Sequence, residues 1–262
     1  MNDDAIFRPG LLDGRCALIT GGGSGIGLAV ARELGGLGAR VVIAARGEER
    51  LAAAAESLRA AGIDATAHTV NIRDESQVAA LFDTIADSHG LPDLLVNNAG
   101  GQFAADALDI SANGFRAVVD LNLNGTWHMS SAYARRAVEA GRAGRIVNIV
   151  LVTAGPKPGN AHGAAARAGI IHLTKTLAFE WARHGIAVNA IAPGTIETEG
   201  LDQYNPADID AAIQRLPIKR FGTPREVALM VAYLASPAGD FITGTTLDVD
   251  GGAHLVGPAR EA

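Results

Sequence analysis

The sequence predicts one doubly wound α/β domain, a seven-stranded parallel sheet flanked by helices. Three observations predict it. Short β-branched runs alternate with longer segments whose apolar residues recur every three or four positions, the pattern of βαβ units. A glycine-rich turn follows the first of these runs and opens an amphipathic segment. No composition break, repeat or Pro- or Ser-rich linker divides residues 13–255, so residues 1–262 are expected to form a single domain around one core.

Seven strands are expected in order: Cys16 to Thr20, Arg40 to Ala45, Ala65 to Ile72, Leu94 to Asn97, Arg145 to Val150, Ala187 to Ala192 and Thr245 to Val249. Between the first two, Ile26, Val30, Leu34 and Leu37 fall on one helical face; between the fifth and sixth, Ile170, Leu173, Leu177 and Trp181 do the same. Right-handed crossovers place every loop that follows a strand at the carboxyl edge of the sheet, where such folds bind ligands. The connection 194–222 is the only long one without a strong strand or long helix pattern, and its span at about 195–222 is read as a substrate flap.

Composition narrows the classes of function. Twenty-two Lys and Arg against 28 Asp and Glu give a formal charge of −6, which argues against a general nucleic-acid or anionic-membrane binder. Cys16 is the only cysteine, so there is no internal disulfide framework and no Cys-based zinc site. The histidines at 68, 89, 128, 172, 184 and 254 have no metal-ligand spacing, and no metal is expected. No uncharged apolar run reaches ~18 residues, and Met1 to Gly10 lacks the charged-then-apolar pattern of a signal peptide. The terminal Arg260-Glu261-Ala262 is not a Ser-Lys-Leu address. A cytoplasmic protein with a small-molecule ligand is expected.

After the first strand the chain reads Thr20-Gly21-Gly22-Gly23-Ser24-Gly25-Ile26-Gly27. Glycines permit the turn and let main-chain N–H groups approach a pyrophosphate at the positive end of a helix, while Gly27 lets that helix sit close to the sheet. No Gly-Lys-Ser/Thr follows, which excludes a phosphate-hydrolysing P-loop. The prediction is a Rossmann dinucleotide site with Gly21, Ser24, Gly25, Ile26 and Gly27 against the cofactor. The second strand ends Ala44-Ala45-Arg46, where an acid would accept from the ribose 2′-hydroxyl of NAD. Acid is missing and base is present. A guanidinium pairs bidentately with a 2′-phosphate, a contact worth about 1.5–3 kcal/mol, so NADP(H) is expected over NAD(H).

Further motifs accompany the glycine turn: Asn97-Asn98-Ala99-Gly100 after the fourth strand, Leu121-Asn122-Leu123, Pro193-Gly194-Thr195-Ile196 after the sixth, and Asp250-Gly251-Gly252. With them, roughly residues 11–253 resemble a short-chain dehydrogenase/reductase. The resemblance implies that Asn71 and Ile72 flank the adenine and that Asn98, Ala99 and Gly100 line the cofactor. It also implies that Pro193, Gly194, Ile196 and Thr198 meet the nicotinamide and phosphates. A homo-tetramer is implied as well, with Leu177, Trp181, Phe241 and Leu247 as apolar contacts.

The usual members of this family carry Ser and Tyr-x-x-x-Lys, in which the tyrosine moves a proton at a carbonyl oxygen and the lysine holds the nicotinamide ribose. Aligned on Arg167-Ala168-Gly169, this chain has Gly163 at the tyrosine and Arg167 at the lysine, with Thr153 the nearest hydroxyl to the serine. Glycine transfers no proton, and an arginine protonated at working pH is a poor acid or base.

This departure resembles the peroxisomal-type trans-2-enoyl-CoA reductases and, more distantly, the 2,4-dienoyl-CoA reductases. Gly100-Gly101-Gln102-Phe103, His162 before Ala165-Ala166-Arg167-Ala168-Gly169, Glu180-Trp181 and Phe241-Ile242-Thr243-Gly244 carry the likeness. Such enzymes pass hydride to the β-carbon of an enoyl thioester and leave an enolate, whose oxygen needs charge stabilisation. The resemblance implies catalytic roles for Arg167, Thr153 and His162 at that oxygen, and for Asn122 in a proton path. Gln102 and Phe103 would meet the substrate, and Tyr204 in the flap would line the acyl pocket or protonate the α-carbon. Tyr133 and Tyr233 fall on helical patterns and are expected to pack. Two rivals stay open: a ketone or alcohol dehydrogenase with an atypical proton donor, and a dinucleotide-binding protein without turnover.

Overall fold

The computed structural model describes residues 6–151, 155–198 and 206–256. Strands β1 (Cys16–Thr20), β2 (Arg40–Ala45), β3 (Ala65–Thr69), β4 (Leu94–Asn97), β5 (Gly144–Ile149), β6 (Ile186–Pro193) and β7 (Thr246–Val249) form one sheet in the order β3-β2-β1-β4-β5-β6-β7. All six pairings are parallel. The helices are α1 (Gly25–Gly36), α2 (Glu48–Ala60), α3 (Glu75–His89), α4 (Ala112–Val119), α5 (Gly125–Glu139), α6 (Ala161–Trp181), α7 (Pro206–Arg215) and α8 (Pro224–Ala235).

Both faces of the sheet are covered, which is why its central strands read as near-continuous apolar runs that turn polar only at their last residue: β1 is CALIT and β4 is LLVN, each buried throughout. Successive side chains of β1 alternate between two cores. Ala17 and Ile19 join Val30, Leu34, Leu58, Val227 and Val231 of α1, α2 and α8. Cys16 and Leu18 join Phe82, Ile85, Met129 and Tyr133 of α3 and α5. Cys16 is buried, and burial pushes its thiol up to about 11, so it is a packing residue. Chain order reverses between β1 and β4, and the crevice at their carboxyl ends is where an open α/β sheet takes its ligand.

The structure departs from the sequence reading in several places. The third strand ends at Thr69, not Ile72. Val70 still donates its N–H to the Ala45 carbonyl, but the Asn71 N–H turns to Gln77 Oε1 at 3.0 Å, and Asp74 caps α3 through the amides of Ser76 and Gln77. The cap therefore wins over one more rung of β ladder. The connection 195–222 holds a helix, α7, with Pro206 at its first position. The ends of that connection are pinned together: Glu197 N–H donates to the Gly222 carbonyl at 2.8 Å and Gly222 N–H to the Thr195 carbonyl at 3.0 Å. Leu177 is buried in the core and offers no contact surface, whereas Tyr233 is 38% exposed on α8 and does not pack as expected.

Candidate active site

The glycine-rich turn opens a cleft of about 1280 Å³ at the carboxyl ends of β1, β2 and β4. Gly21, Ser24, Gly25, Ile26, Arg46, Ile72, Asn98, Ala99, Gly100 and Thr198, all expected at the cofactor, line it. Gly27 lies beneath the turn. A Cβ there would stand 2.3 Å from the Gly21 carbonyl oxygen, so only glycine lets α1 begin this close to β1. No acidic residue occupies the first turn of α1, so that turn carries no charge of its own against an anion at its amide end. Thr20 holds the opposite wall. Its hydroxyl oxygen accepts the N–H groups of Asn98 and Ala99, both at 3.0 Å, and the Asn98 carboxamide donates back to the Thr20 carbonyl.

Arg46 is exposed at the mouth of the cleft and, among the described residues, forms no ion pair. Arg50, Glu48 and Glu49 from the first turn of α2 line the same mouth, which sequence reasoning did not foresee. The signal was available in principle, because they open the helix that follows Arg46. Four expected residues sit differently. The Asn71 side chain accepts from Arg73 and is absent from the cleft lining. Ile196 is buried in the core against the Gly222 backbone, leaving only its main chain for a ligand. Gly194 is packed on Asp250, and Pro193 ends β6 beside Val249. Asp250 accepts from the amides of Gly252 and His254. Burial pushes its carboxyl up, but the His254 amide and ring with the Gly252 amide outweigh it and hold it below the usual carboxylate range.

Beyond Gly100 the site is built from side chains. Arg167 on α6 is 8% exposed and donates from Nη1 to the Ile149 carbonyl at 2.8 Å. Its Nε is buried with no partner among the described residues. Burial alone pushes this guanidinium down to about 10, so it stays charged at neutral pH and is short of a counter-charge. A Cβ on Gly100 would lie 2.3 Å from Arg167 Nη2 and 2.5 Å from Asn122 Oδ1, so glycine is what admits both groups. Asn122 sits in a π-helical turn, Asp120–Asn124. It donates to the Gly101 and Val118 carbonyls and accepts from Gly101 N–H. It thereby fixes the loop after β4 to the α4–α5 junction.

His162 is fully buried at the start of α6, its ring 4.4 Å edge-to-face from Phe103. Gly163 N–H donates to His162 Nδ1 at 2.7 Å, which puts the proton of the neutral ring on Nε2. That Nε2 has no partner among the described residues. Phe103 is 45% exposed and Gln102 is exposed beside it. Asn160, which sequence reasoning missed, leans over Gly163, and a Cβ there would meet its Oδ1 at 2.2 Å. Thr153 and Tyr204 lie outside the described residues. Tyr133 is buried, its hydroxyl donating to the Asp93 carbonyl on the far side of the core. No cluster of metal-ligating side chains occurs among the described residues.

The Arg167 guanidinium, without an acidic partner among the described residues, the acid-free start of α1 and the glycine-lined turn all fit a dinucleotide. Comparison with known proteins agrees. The family described as Enoyl-(Acyl carrier protein) reductase matches residues 21–254. The chain is 34% identical to a probable 2,4-dienoyl-CoA reductase of Bacillus subtilis, over 93% of this chain and 98% of that one. It is 38% identical to the 3-oxoacyl-(acyl-carrier-protein) reductase of Vibrio harveyi, over 94% and 99% respectively. A gluconate 5-dehydrogenase from Burkholderia cenocepacia, solved with NADP and tartrate, superposes with a TM-score of 0.88 at 38% identity, covering 94% of this chain and 97% of that one. No described helix is long and apolar enough to cross a membrane. The chain belongs to the short-chain dehydrogenase/reductase family, oxidoreductases that act on small molecules with a nicotinamide dinucleotide.

Proposed function

We propose that this enzyme is an NADPH-dependent reductase of trans-2-enoyl thioesters, with an acyl-CoA as substrate. One observation carries the reading: the first two turns of α6 present a buried arginine without a counter-charge at position 167 and a bare backbone at Gly163, where the ketone-reducing members that the chain resembles have lysine and tyrosine. Without the phenol, reduction of a ketone lacks its proton at oxygen. Reduction of a conjugated double bond instead needs its developing oxyanion held, which fixed donors do well in a water-poor site.

Bound NADPH supplies the hydride. Gly21, Ser24, Gly25, Ile26 and Gly27 would hold its pyrophosphate, Arg46 its 2′-phosphate, Ile72 its adenine and Asn98 to Gly100 its ribose side. Asn71 and Ile196 would contribute main chain only, with Pro193, Gly194 and Thr198 near the nicotinamide. Arg167 holds positive potential against the thioester oxygen, and the buried Nε2–H of His162 donates to it, with Thr153 as a further donor. Asn122 keeps the Gly101 backbone in place. Gln102, Phe103 and Tyr204 bound the acyl chain, and residues 195–222 cover it as a flap in a single domain. The chain works in the cytoplasm as a homo-tetramer, in which the groove lined by Trp127, Phe179 and Trp181, together with exposed Phe241, is buried between copies.

The test is NADPH oxidation followed by absorbance with short and medium trans-2-enoyl-CoAs beside matched 3-ketoacyl-CoAs, with NADH as control. Turnover of the enoyl substrates with NADPH is expected. Turnover of ketones alone overturns the reading in favour of an atypical ketone reductase. Tight NADPH binding with no turnover overturns it in favour of a silent binding protein.

A further inference from the structure

Ile72 stands where the chain leaves the sheet, and with Val70 it lines one wall of the cleft. The ladder that would fix this wall has already run out: β3 stops at Thr69, and Val70 N–H makes the last bond to the neighbouring strand, at the Ala45 carbonyl. The segment must therefore be held from elsewhere, and two residues of α5 hold it. Gly125 lies against the Ile72 side chain. A Cβ there would stand 2.7 Å from both Cγ1 and Cδ1 of Ile72, so glycine is what lets the helix come this close. Three residues on, and hence on the same side of the helix, His128 Nδ1 lies 3.0 Å from the Ile72 carbonyl oxygen. A carbonyl oxygen only accepts, so Nδ1 carries the proton and donates it.

The bond is shielded from water on both sides. The His128 side chain is 14% exposed and Ile72 is 4% exposed, and a carbonyl left without a donor at such a place would be costly. Glu75, exposed at the start of α3, comes within 3.3 Å of Nε2. That contact is an ion pair only with a protonated ring, whereas the bond to Ile72 is made by the neutral ring as well, so the clamp does not depend on Glu75. Two consecutive residues of the wall are thus held by side chains, Asn71 by Gln77 and Ile72 by His128, and of the two holders Gln77 is exposed. The same stretch of chain fixes the opposite wall, because Asn122, three residues before Gly125, binds the Gly101 backbone.

We propose that His128 is a positioning residue for the dinucleotide: by holding the Ile72 carbonyl it sets the wall against which the adenine half of the cofactor rests. The inference rests on the placement of the adenine at Ile72 given above, and not on the reaction assigned to the enzyme.

The experiment is a fluorescence titration of the full-length enzyme with NADPH, with 5′-AMP as competitor for the adenine half and thermal melts on the same samples. His128→Ala should weaken NADPH and 5′-AMP by the same factor, about fivefold or more. Two milder variants separate the hydrogen bond from the bulk of the ring. His128→Asn, whose Nδ2 takes the place of Nδ1, should recover most of the affinity, and His128→Gln, whose amide reaches toward the place of Nε2, should not. Unchanged affinities in His128→Ala and His128→Gln would overturn the proposal, as would a lowered melting temperature with unchanged affinity, the mark of a purely structural residue. Equal losses in His128→Asn and His128→Gln, or a loss confined to NADPH with 5′-AMP unaffected, would overturn it too. If 5′-AMP does not displace NADPH from the wild type, the placement of the adenine fails and takes the proposal with it. No acyl substrate is present, so a missing enoyl-CoA turnover bears on the assigned reaction alone.

Discussion

The two ends of the site are made of different material. Around the turn after β1 the ligand would meet main chain, with amides at the start of α1, glycines that clear the way, and Thr20 and Asn98 bracing the walls through backbone atoms. Around the start of α6 it would meet side chains: Arg167, His162 and Phe103, with Asn160 behind them. A backbone cradle depends on shape and tolerates variation in everything but its glycines. A side-chain constellation changes its chemistry with single substitutions, and it is at this second end that the chain has Gly163 and Arg167.

The largest effect should come from the side-chain end. Arg167→Met keeps the volume and removes the charge, and kcat/KM for enoyl-CoA should fall by about 100-fold or more, with Arg167→Lys recovering part of it. Retained activity in Arg167→Met would place the stabilising charge elsewhere. In the cradle, Gly27→Ala forces α1 away from the Gly21 carbonyl, so stability should drop by about 1–3 kcal/mol in urea melts and NADPH should bind more weakly in calorimetry. Arg46→Ala should narrow the NADPH to NADH affinity ratio by about 10- to 100-fold and leave NADH binding nearly unchanged. An unaltered ratio would remove the assignment of the 2′-phosphate to Arg46 and point to Arg50.

The smallest effect lies outside both ends, at the base of the 195–222 connection. Glu226 closes the capping box of α8 with Thr223 and accepts a two-pronged pair from Arg220. The Arg220 guanidinium first, and then the Thr223 amide, bring its carboxyl from 4.5 to about 2. A carboxyl with a depressed value stabilises the fold fully above its unfolded value and loses that contribution as pH falls through the folded one. The stability gap between wild type and Glu226→Gln should therefore be constant above about pH 5 and should close between about 4.5 and 2. Because the pair is partly exposed, the gap should be small and should shrink with salt.

This contrast also explains what could be read from the sequence. Six of the seven strands start and stop within one residue of expectation, because continuous apolar runs and the glycine turn are local signals. The third strand was overrun since nothing in Val70-Asn71-Ile72 announces that Gln77, in the next helix, will take the Asn71 amide. The cradle was legible for the same reason as the strands: its glycines are contiguous and each has a steric purpose. The α6 end was legible only as a list of residue types. That Asn160 faces Gly163 instead of capping, or that Arg167 reaches the Ile149 carbonyl, depends on which of several acceptors an N–H chooses in three dimensions. Ile196 shows the same limit from the other side, since a motif position says nothing of whether the side chain faces a ligand or the core.

The most direct test of the account is a competition in which the enzyme receives deuterium-labelled NADPH with equal amounts of a trans-2-enoyl-CoA and the matching 3-ketoacyl-CoA, and the products are read by mass spectrometry and NMR. The account predicts a saturated acyl-CoA carrying one deuterium on its β-carbon, with the ketoacyl-CoA returned unchanged. A deuterated 3-hydroxyacyl-CoA as the main product would contradict it.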